Sequence, residues 1–125
     1  MASEVSYFSK VIDDDSNPDG WTPLLWASSK GNLETVVELV NLGANPYKTK
    51  KDGLTALHIA ASNNDIHLLD FLIDRDFKID LDVKNEDGWT PSHLAGFLNN
   101  FDALNLLLEK GANISSKNNN DLTCY

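Results

Sequence analysis

The sequence predicts an all-α solenoid, in which helix-turn-helix units stack on one another and are joined by turn and hairpin loops. The first observation is the element Asp-Gly-x-Thr, whose threonine recurs as Thr22, Thr55 and Thr90, at intervals of 33 and 35 residues. Periods of this size are typical of two-helix units that bury their apolar faces only by stacking. The second observation is that two short helical patterns follow each copy.

The first helix of each unit is predicted to begin directly after the turn. Thr22, Thr55 and Thr90 suit the N-cap, because a threonine hydroxyl accepts a hydrogen bond from a first-turn N–H. Pro23 and Pro91 suit the first helical position, where a missing N–H costs nothing. Small residues follow on one side and allow a neighbouring helix to approach; they are Ala27-Ser28, Ala60-Ala61 and Ala95-Gly96.

The second helix of each unit carries a broad apolar stripe that is expected to form the core. The stripe comprises Leu33, Val36, Val37, Leu39 and Val40, then Ile66, Leu68, Leu69, Leu72 and Ile73, then Phe101, Leu104, Leu106, Leu107 and Leu108. Gly43 and Gly111 are expected to end this helix in units one and three as left-handed C-caps. Unit two has residues 74–77 in that place, which predicts an unusual loop before unit three.

Three segments match the ankyrin-repeat signature in order and spacing. They read Thr-Pro-Leu at 22–24, Thr-Ala-Leu-His-Ile-Ala-Ala at 55–61 and Thr-Pro-Ser-His-Leu-Ala at 90–95. The chain therefore resembles the ankyrin-repeat family over about four fifths of its length. The expected array covers 19–125 and divides into 19–50, 51–85, 86–118 and a truncated fourth repeat at 119–125.

Both ends depart from the repeat. Residues 1–18 are expected to form an N-terminal capping helix over 3–12 followed by an acidic connector. Residues 120–125 begin a fourth unit without its helices, whereas solenoids normally finish with a unit that has a polar outer face. We therefore expect the sequence to be part of a longer protein.

Composition narrows the classes of partner and compartment. The chain has 125 residues, 42% of them hydrophobic, which suits one stacked domain. A net charge of −9 argues against nucleic acid or an anionic membrane as the partner, because phosphate binding needs clustered lysine and arginine. No membrane span or secretory signal is visible, and Cys124 is the single cysteine. These features predict an intracellular protein, with the cytoplasm as the expected compartment.

Catalytic, metal and cofactor sites are not expected. His58 and His93 share one repeat position, and the resemblance implies that this histidine bridges turns by hydrogen bonding. Residues 15–20 imitate the start of an EF-hand loop, but Trp26 stands at the twelfth position, where calcium binding needs a bidentate glutamate. No nucleophile elbow, phosphate-binding loop or dinucleotide fingerprint occurs. We therefore predict that the chain is not an enzyme.

The resemblance implies that a partner binds the concave face, which the turn tips and the outward side of the first helices form. The corresponding positions are Asp19, Trp21, Ser29, Lys30, Lys51, Asp52, Leu54, Ser62, Asn63, Glu86, Asp87, Trp89, Phe97 and Leu98. Trp21, Leu54 and Trp89 should lie in a row, which we call the aromatic row after its two tryptophans. Large aromatic side chains often dominate interface energies. Alternatively, the rings fold against neighbouring turns or are covered by the rest of a longer protein.

Trp26 is predicted to differ from the aromatic row. It occupies the same position as Ile59 and Leu94 inside the first helices, so we assign it to internal packing.

The sequence thus favours a non-catalytic protein-protein interaction module that presents its concave surface to a protein or peptide. One alternative is a regulatory or targeting segment of a longer enzyme. Another is a segment that docks a further domain of its own chain.

Overall fold

The structure, a computed structural model, describes residues 12–74, 79–113, 115 and 117–120. Within these ranges there are six helices and no strands, which confirms the predicted all-α solenoid. The helices are α1 (Pro23–Ser29), α2 (Leu33–Asn41), α3 (Ala56–Ser62), α4 (Ile66–Asp74), α5 (Pro91–Phe97) and α6 (Phe101–Glu109). Nearly all of the predicted capping helix, the junction at 75–77 and the fourth-unit residues 121–125 lie outside the described residues.

The helices pack in pairs, and the pairs stack. Within the units α1 contacts α2, α3 contacts α4 and α5 contacts α6, while α3 lies between α1 and α5. The first helices approach closely because Ala60, Ala61 and Ala95 are fully buried. The largest fully buried apolar side chains are Leu24, Leu25, Leu57, Leu68, Leu69, Leu72 and Leu107. The stripe prediction is wrong for Phe101, which is 60% exposed at the start of α6.

The helix ends follow the local rules. The hydroxyls of Thr22, Thr55 and Thr90 accept hydrogen bonds from the N–H groups three residues further on, as predicted for N-caps. Gly43 and Gly111 have φ values of +101° and +111° and follow the ends of α2 and α6, which confirms both as left-handed caps.

The turn between the two helices of each unit has a feature that we did not predict. Gly31, Asn64 and Asn99 follow the first helices and have left-handed backbones, with φ values of +69°, +53° and +61°. Asparagine tolerates this conformation better than most non-glycine residues. A left-handed residue there lets the chain reverse directly into the second helix.

Two asparagines, Asn100 and Asn64, connect units two and three. The Asn100 side-chain amide donates to the carbonyls of Ala61 and Ser62 at 3.0 and 2.9 Å, at the end of α3. The Asn64 side-chain oxygen accepts from the Ala103 N–H at 3.1 Å, at the start of α6. Each unit therefore contributes an asparagine side chain that hydrogen-bonds to backbone groups at a helix terminus of the other unit.

Replacing Asn100 by alanine should lower the free energy of unfolding by about 1–2 kcal/mol, since two hydrogen bonds to helix-terminal carbonyls are lost. The measurement is urea unfolding followed by circular dichroism. Asn63→Ala is the matched control, because the exposed Asn63 makes one long bond of 3.4 Å to the Ser29 carbonyl and should cost less than about 0.5 kcal/mol. Equal losses in the two variants would contradict a special role for Asn100.

The turn tips form a hydrogen-bonded ladder along the array. The N–H groups of Lys51, Glu86 and Asn119 donate to the carbonyls of Asp19, Asp52 and Asp87 at 3.0, 3.0 and 3.1 Å. Each tip is thereby held against the next one. The ladder sets the spacing between successive members of the aromatic row.

The acidic connector is attached to unit one. The Asp13 carboxylate accepts a hydrogen bond from the Asn45 N–H at 2.9 Å, and the Lys48 ammonium lies 2.9 Å from an Asp15 oxygen. The bond from Lys48 lowers the pKa of the Asp15 carboxyl. Asp14 and Asp15 are solvent-exposed, as a solvated connector requires. The connector also fixes the loop after α2.

Candidate protein-binding surface

The positions predicted to bind a partner are solvent-accessible to different degrees. Nine are exposed: Asp19, Lys30, Lys51, Asp52, Asn63, Glu86, Asp87, Phe97 and Leu98. Five are half-buried: Trp21, Ser29, Leu54, Ser62 and Trp89. The aromatic row therefore presents part of each side chain to solvent, while Trp21 also packs against the core.

A pair of stacked indoles lies at the unit-one end of this surface. The ring centroids of Trp21 and Trp26 are 4.7 Å apart, with 23° between the planes. Trp26 is 48% exposed, whereas Ile59 at the same position is 6% exposed. The assignment of Trp26 to internal packing was wrong, because its ring lies flat on that of Trp21 at the surface. An aromatic residue five positions after Trp21 was the available signal.

Two lysines cover this indole pair. The Lys50 ammonium lies 4.2 Å from the centroid of the Trp21 ring, and the Lys30 ammonium lies 5.7 Å from that of Trp26. Lys50 also lies 3.5 Å from an Asp52 oxygen. An ammonium over an indole face gains about 0.5–1 kcal/mol at an exposed site. The Lys50 contact was not predicted, because Lys50 is far from Trp21 in the sequence and belongs to the next turn tip, at 50–52.

An aromatic corner lies at the unit-three end. The rings of Trp89 and Phe97 meet at 90°, with their centroids 5.3 Å apart. Phe97 is 72% exposed and its neighbour Leu98 is 46% exposed. A shallow concavity is lined by Asn85, Asp87, Trp89, Leu94 and Phe97. Two aromatic rings and a carboxylate residue thus share one open site.

The backbone that carries Trp89 is fixed by His58, which lies in α3. The His58 Nδ1 accepts from the Thr55 N–H at 3.1 Å, so the proton is on Nε2, which donates to the Trp89 carbonyl at 2.7 Å. The histidine therefore bridges two turns, as the family resemblance implied. Burial lowers the pKa of His58 below its ordinary value of 6.5 and keeps the ring neutral. The Nδ1 of His93 accepts from the Thr90 N–H at 3.0 Å in the same way.

Metal ligands do not converge in the described part of the chain. No group of three or more histidine, cysteine, aspartate or glutamate side chains there could hold a metal ion. His67 is exposed on α4, and Cys124 lies outside the described ranges. Among the helices of residues 12–74 and 79–113, none is long and apolar enough to span a membrane.

A family model described as ankyrin repeats, in three copies, matches residues 24–118. The chain belongs to the ankyrin-repeat family. Ankyrin repeats in general mediate protein-protein interactions. The ankyrin repeats of this chain thus consist of capped helix pairs, which the ladder of tips and the bridging His58 hold together.

The relatives of this ankyrin chain are proteins of different kinds. An ankyrin repeat protein of Rickettsia felis is 36% identical over 85% of this chain and 35% of its own length. Serine/threonine-protein kinase 12 of Arabidopsis thaliana is 32% identical over 82% of this chain and 22% of its own. The human transient receptor potential cation channel subfamily A member 1 is 36% identical over 74% of this chain and 8% of its own. The chain spans about a third or less of these relatives, which share the repeat but not one activity.

Proposed function

We propose that the chain is a non-catalytic protein-binding module, and that its turn tips and first helices hold a protein or peptide on the concave face. The observation that carries this proposal is Phe97, a large apolar side chain that is 72% exposed and packs edge-to-face with Trp89. Trp26 and Leu98 add further exposed apolar surface. Aromatic anchors of this kind commonly carry most of the binding energy at interfaces.

The charge of the chain supports a protein as the partner. A net charge of −9 disfavours nucleic acids and anionic membranes as partners and favours basic or mixed protein surfaces. The polar tips at 50–52 and 85–87 form a rim, which influences specificity and association rate more than affinity. We also propose a cytoplasmic location, because a chain with Cys124 as its single cysteine suits a reducing compartment.

A second candidate is a regulatory, targeting or docking segment of a longer protein. The observation that favours it is that the chain spans only 22% of a kinase and 8% of a channel among its relatives. In this case the aromatic row would be covered by another domain of the same protein. The exposed tryptophans would then be quenched by acrylamide in the isolated chain and protected in the longer protein.

Phe97→Ala should weaken the binding of a partner captured from cell extract, with Phe101→Ala as the matched control. Both phenylalanines are exposed, at 72% and 60%, but Phe101 begins α6 and does not line the concavity. With the purified partner, titration calorimetry should show that Phe97→Ala weakens binding by about 1–2 kcal/mol. The Phe101→Ala variant should bind like the wild type. Equal affinities for all three proteins would exclude the aromatic corner as the interface.

A further inference from the structure

We infer that the corner formed by Trp89, Phe97 and Asp87 receives a cationic side chain of the partner, with arginine the best fit. The inference rests on the proposed function and specifies the chemistry of the partner at one site. It is supported by a comparison of two units of this chain, by the residues that line the concavity, and by charge.

Unit one shows what a tryptophan at this repeat position binds. The Lys50 ammonium lies 4.2 Å from the centroid of the Trp21 ring, and Lys50 is the last residue of unit one, at the tip that leads into unit two. For Trp89 the corresponding residue is Asn118, the last residue of unit three, which is 5% exposed. The chain therefore supplies an ammonium to the first tryptophan of the aromatic row, whereas the position equivalent to Lys50 in unit three holds a buried amide residue.

The lining of the unit-three corner suits a cation from outside. Among the described residues it comprises Asn85, Asp87, Trp89, Leu94 and Phe97, with no lysine or arginine. The two rings offer π-electron surface, with which a cation interacts favourably. Asp87 is exposed and supplies the opposite charge, while Leu94 can pack against an aliphatic stem.

The backbone around the corner is preorganised. The Asp87 N–H donates to the Asn85 side-chain oxygen at 3.0 Å, and the Asp87 carbonyl accepts from the Asn119 N–H at 3.1 Å. His58 holds the Trp89 carbonyl. Little conformational freedom of the backbone is therefore left to lose when a ligand binds, which favours affinity.

Arginine fits better than lysine for geometric reasons. Its planar guanidinium stacks on an aromatic face and can donate two parallel hydrogen bonds to one carboxylate. An ammonium is a compact charge that holds its water more strongly. The net charge of −9 raises the local concentration of basic segments around the chain.

The test uses the acetylated and amidated tripeptide Gly-Arg-Gly, with Gly-citrulline-Gly as its neutral equivalent of the same shape. The three tryptophans give three indole N–H signals in a ¹⁵N correlation spectrum, which Trp→Phe variants assign. We expect the Trp89 signal to shift saturably as the arginine peptide is added. The citrulline peptide should bind at least threefold more weakly. Asp87→Asn should weaken the binding of the arginine peptide about threefold, which is the scale of an exposed ion pair.

Asp102→Asn is the matched control, because Asp102 is an exposed carboxylate at the start of α6 that does not line the concavity, so the affinity should not change. Equal responses to arginine and citrulline, or shifts confined to Trp21 and Trp26, would overturn the inference. Neither result would affect the Phe97→Ala comparison with a captured partner, so the inference and the proposed function fail separately. If the arginine peptide shifted the Trp89 signal with the same affinity in Asp87→Asn as in the wild type, the inference would also be overturned.

Discussion

Gly53→Ala is expected to lower the free energy of unfolding by about 2–4 kcal/mol. Gly53 lies at the tip of unit two with φ of +85°, and a β-carbon there would lie 3.0 Å from the Cα of Asn85 and 3.0 Å from the N of Glu86. The left-handed backbone costs an alanine about 1–2 kcal/mol. The contact adds to this, because it involves the backbone of the next tip, whose Glu86 N–H is hydrogen-bonded to Asp52.

Gly43→Ala separates the two contributions. Gly43 has φ of +101°, but a β-carbon there would meet no atom within 4 Å. This variant should therefore lose only about 1–2 kcal/mol, from the backbone conformation alone. Urea unfolding of both variants and the wild type, followed by far-UV circular dichroism, measures the difference. If the two alanines cost the same, close packing between tips does not contribute to the stability of the array.

Much of the fold could be predicted from the sequence because each unit obeys local rules. The threonine hydroxyl at Thr22 caps the helix that starts one residue later, and Gly43 ends a helix through its own backbone conformation. Interactions of this kind involve residues a few positions apart, so a sequence pattern contains them. The period then indicates how the units are arranged, because no unit can bury its apolar stripe alone.

Contacts between units were harder to predict. Asn100 could have capped its own helix, but its side chain instead reaches the end of α3, while Asn64 caps α6. Both arrangements satisfy the same rules for helix ends, and only the distance between stacked helices decides between them. The Lys50 ammonium over Trp21 is a similar case, since it depends on how far one tip stands from the next.

The candidate surface was predictable in position but not in detail. The aromatic row is partly exposed, yet its role in partner binding stays a prediction. Trp26 was misassigned because Ile59, at the same position, is buried. A repeat position indicates the direction of a side chain in an average unit. At the first unit, however, two large indoles gain more by stacking on each other.

His58→Leu should lower the free energy of unfolding by about 2–3 kcal/mol at pH 7.5. Leucine is the natural comparison, because Leu25 occupies this position in unit one. The substitution leaves the buried Thr55 N–H without its acceptor and removes one of two donors to the Trp89 carbonyl. Urea unfolding measures the loss. His67→Leu, at an exposed site on α4, should cost less than about 0.5 kcal/mol.

The His58→Leu and His67→Leu variants should also show how much His58 contributes to the pH dependence of the free energy of unfolding. Burial lowers the pKa of His58 in the folded chain below its ordinary value of 6.5. As the pH falls through 6.5, the unfolded chain therefore binds a proton that the folded chain resists, and stability decreases until the lower folded pKa is reached. The contribution is fully present above the ordinary value. We expect the wild type and His67→Leu to lose more stability than His58→Leu between pH 7.5 and pH 5.5. An unchanged slope in His58→Leu would mean that another group titrates in this range.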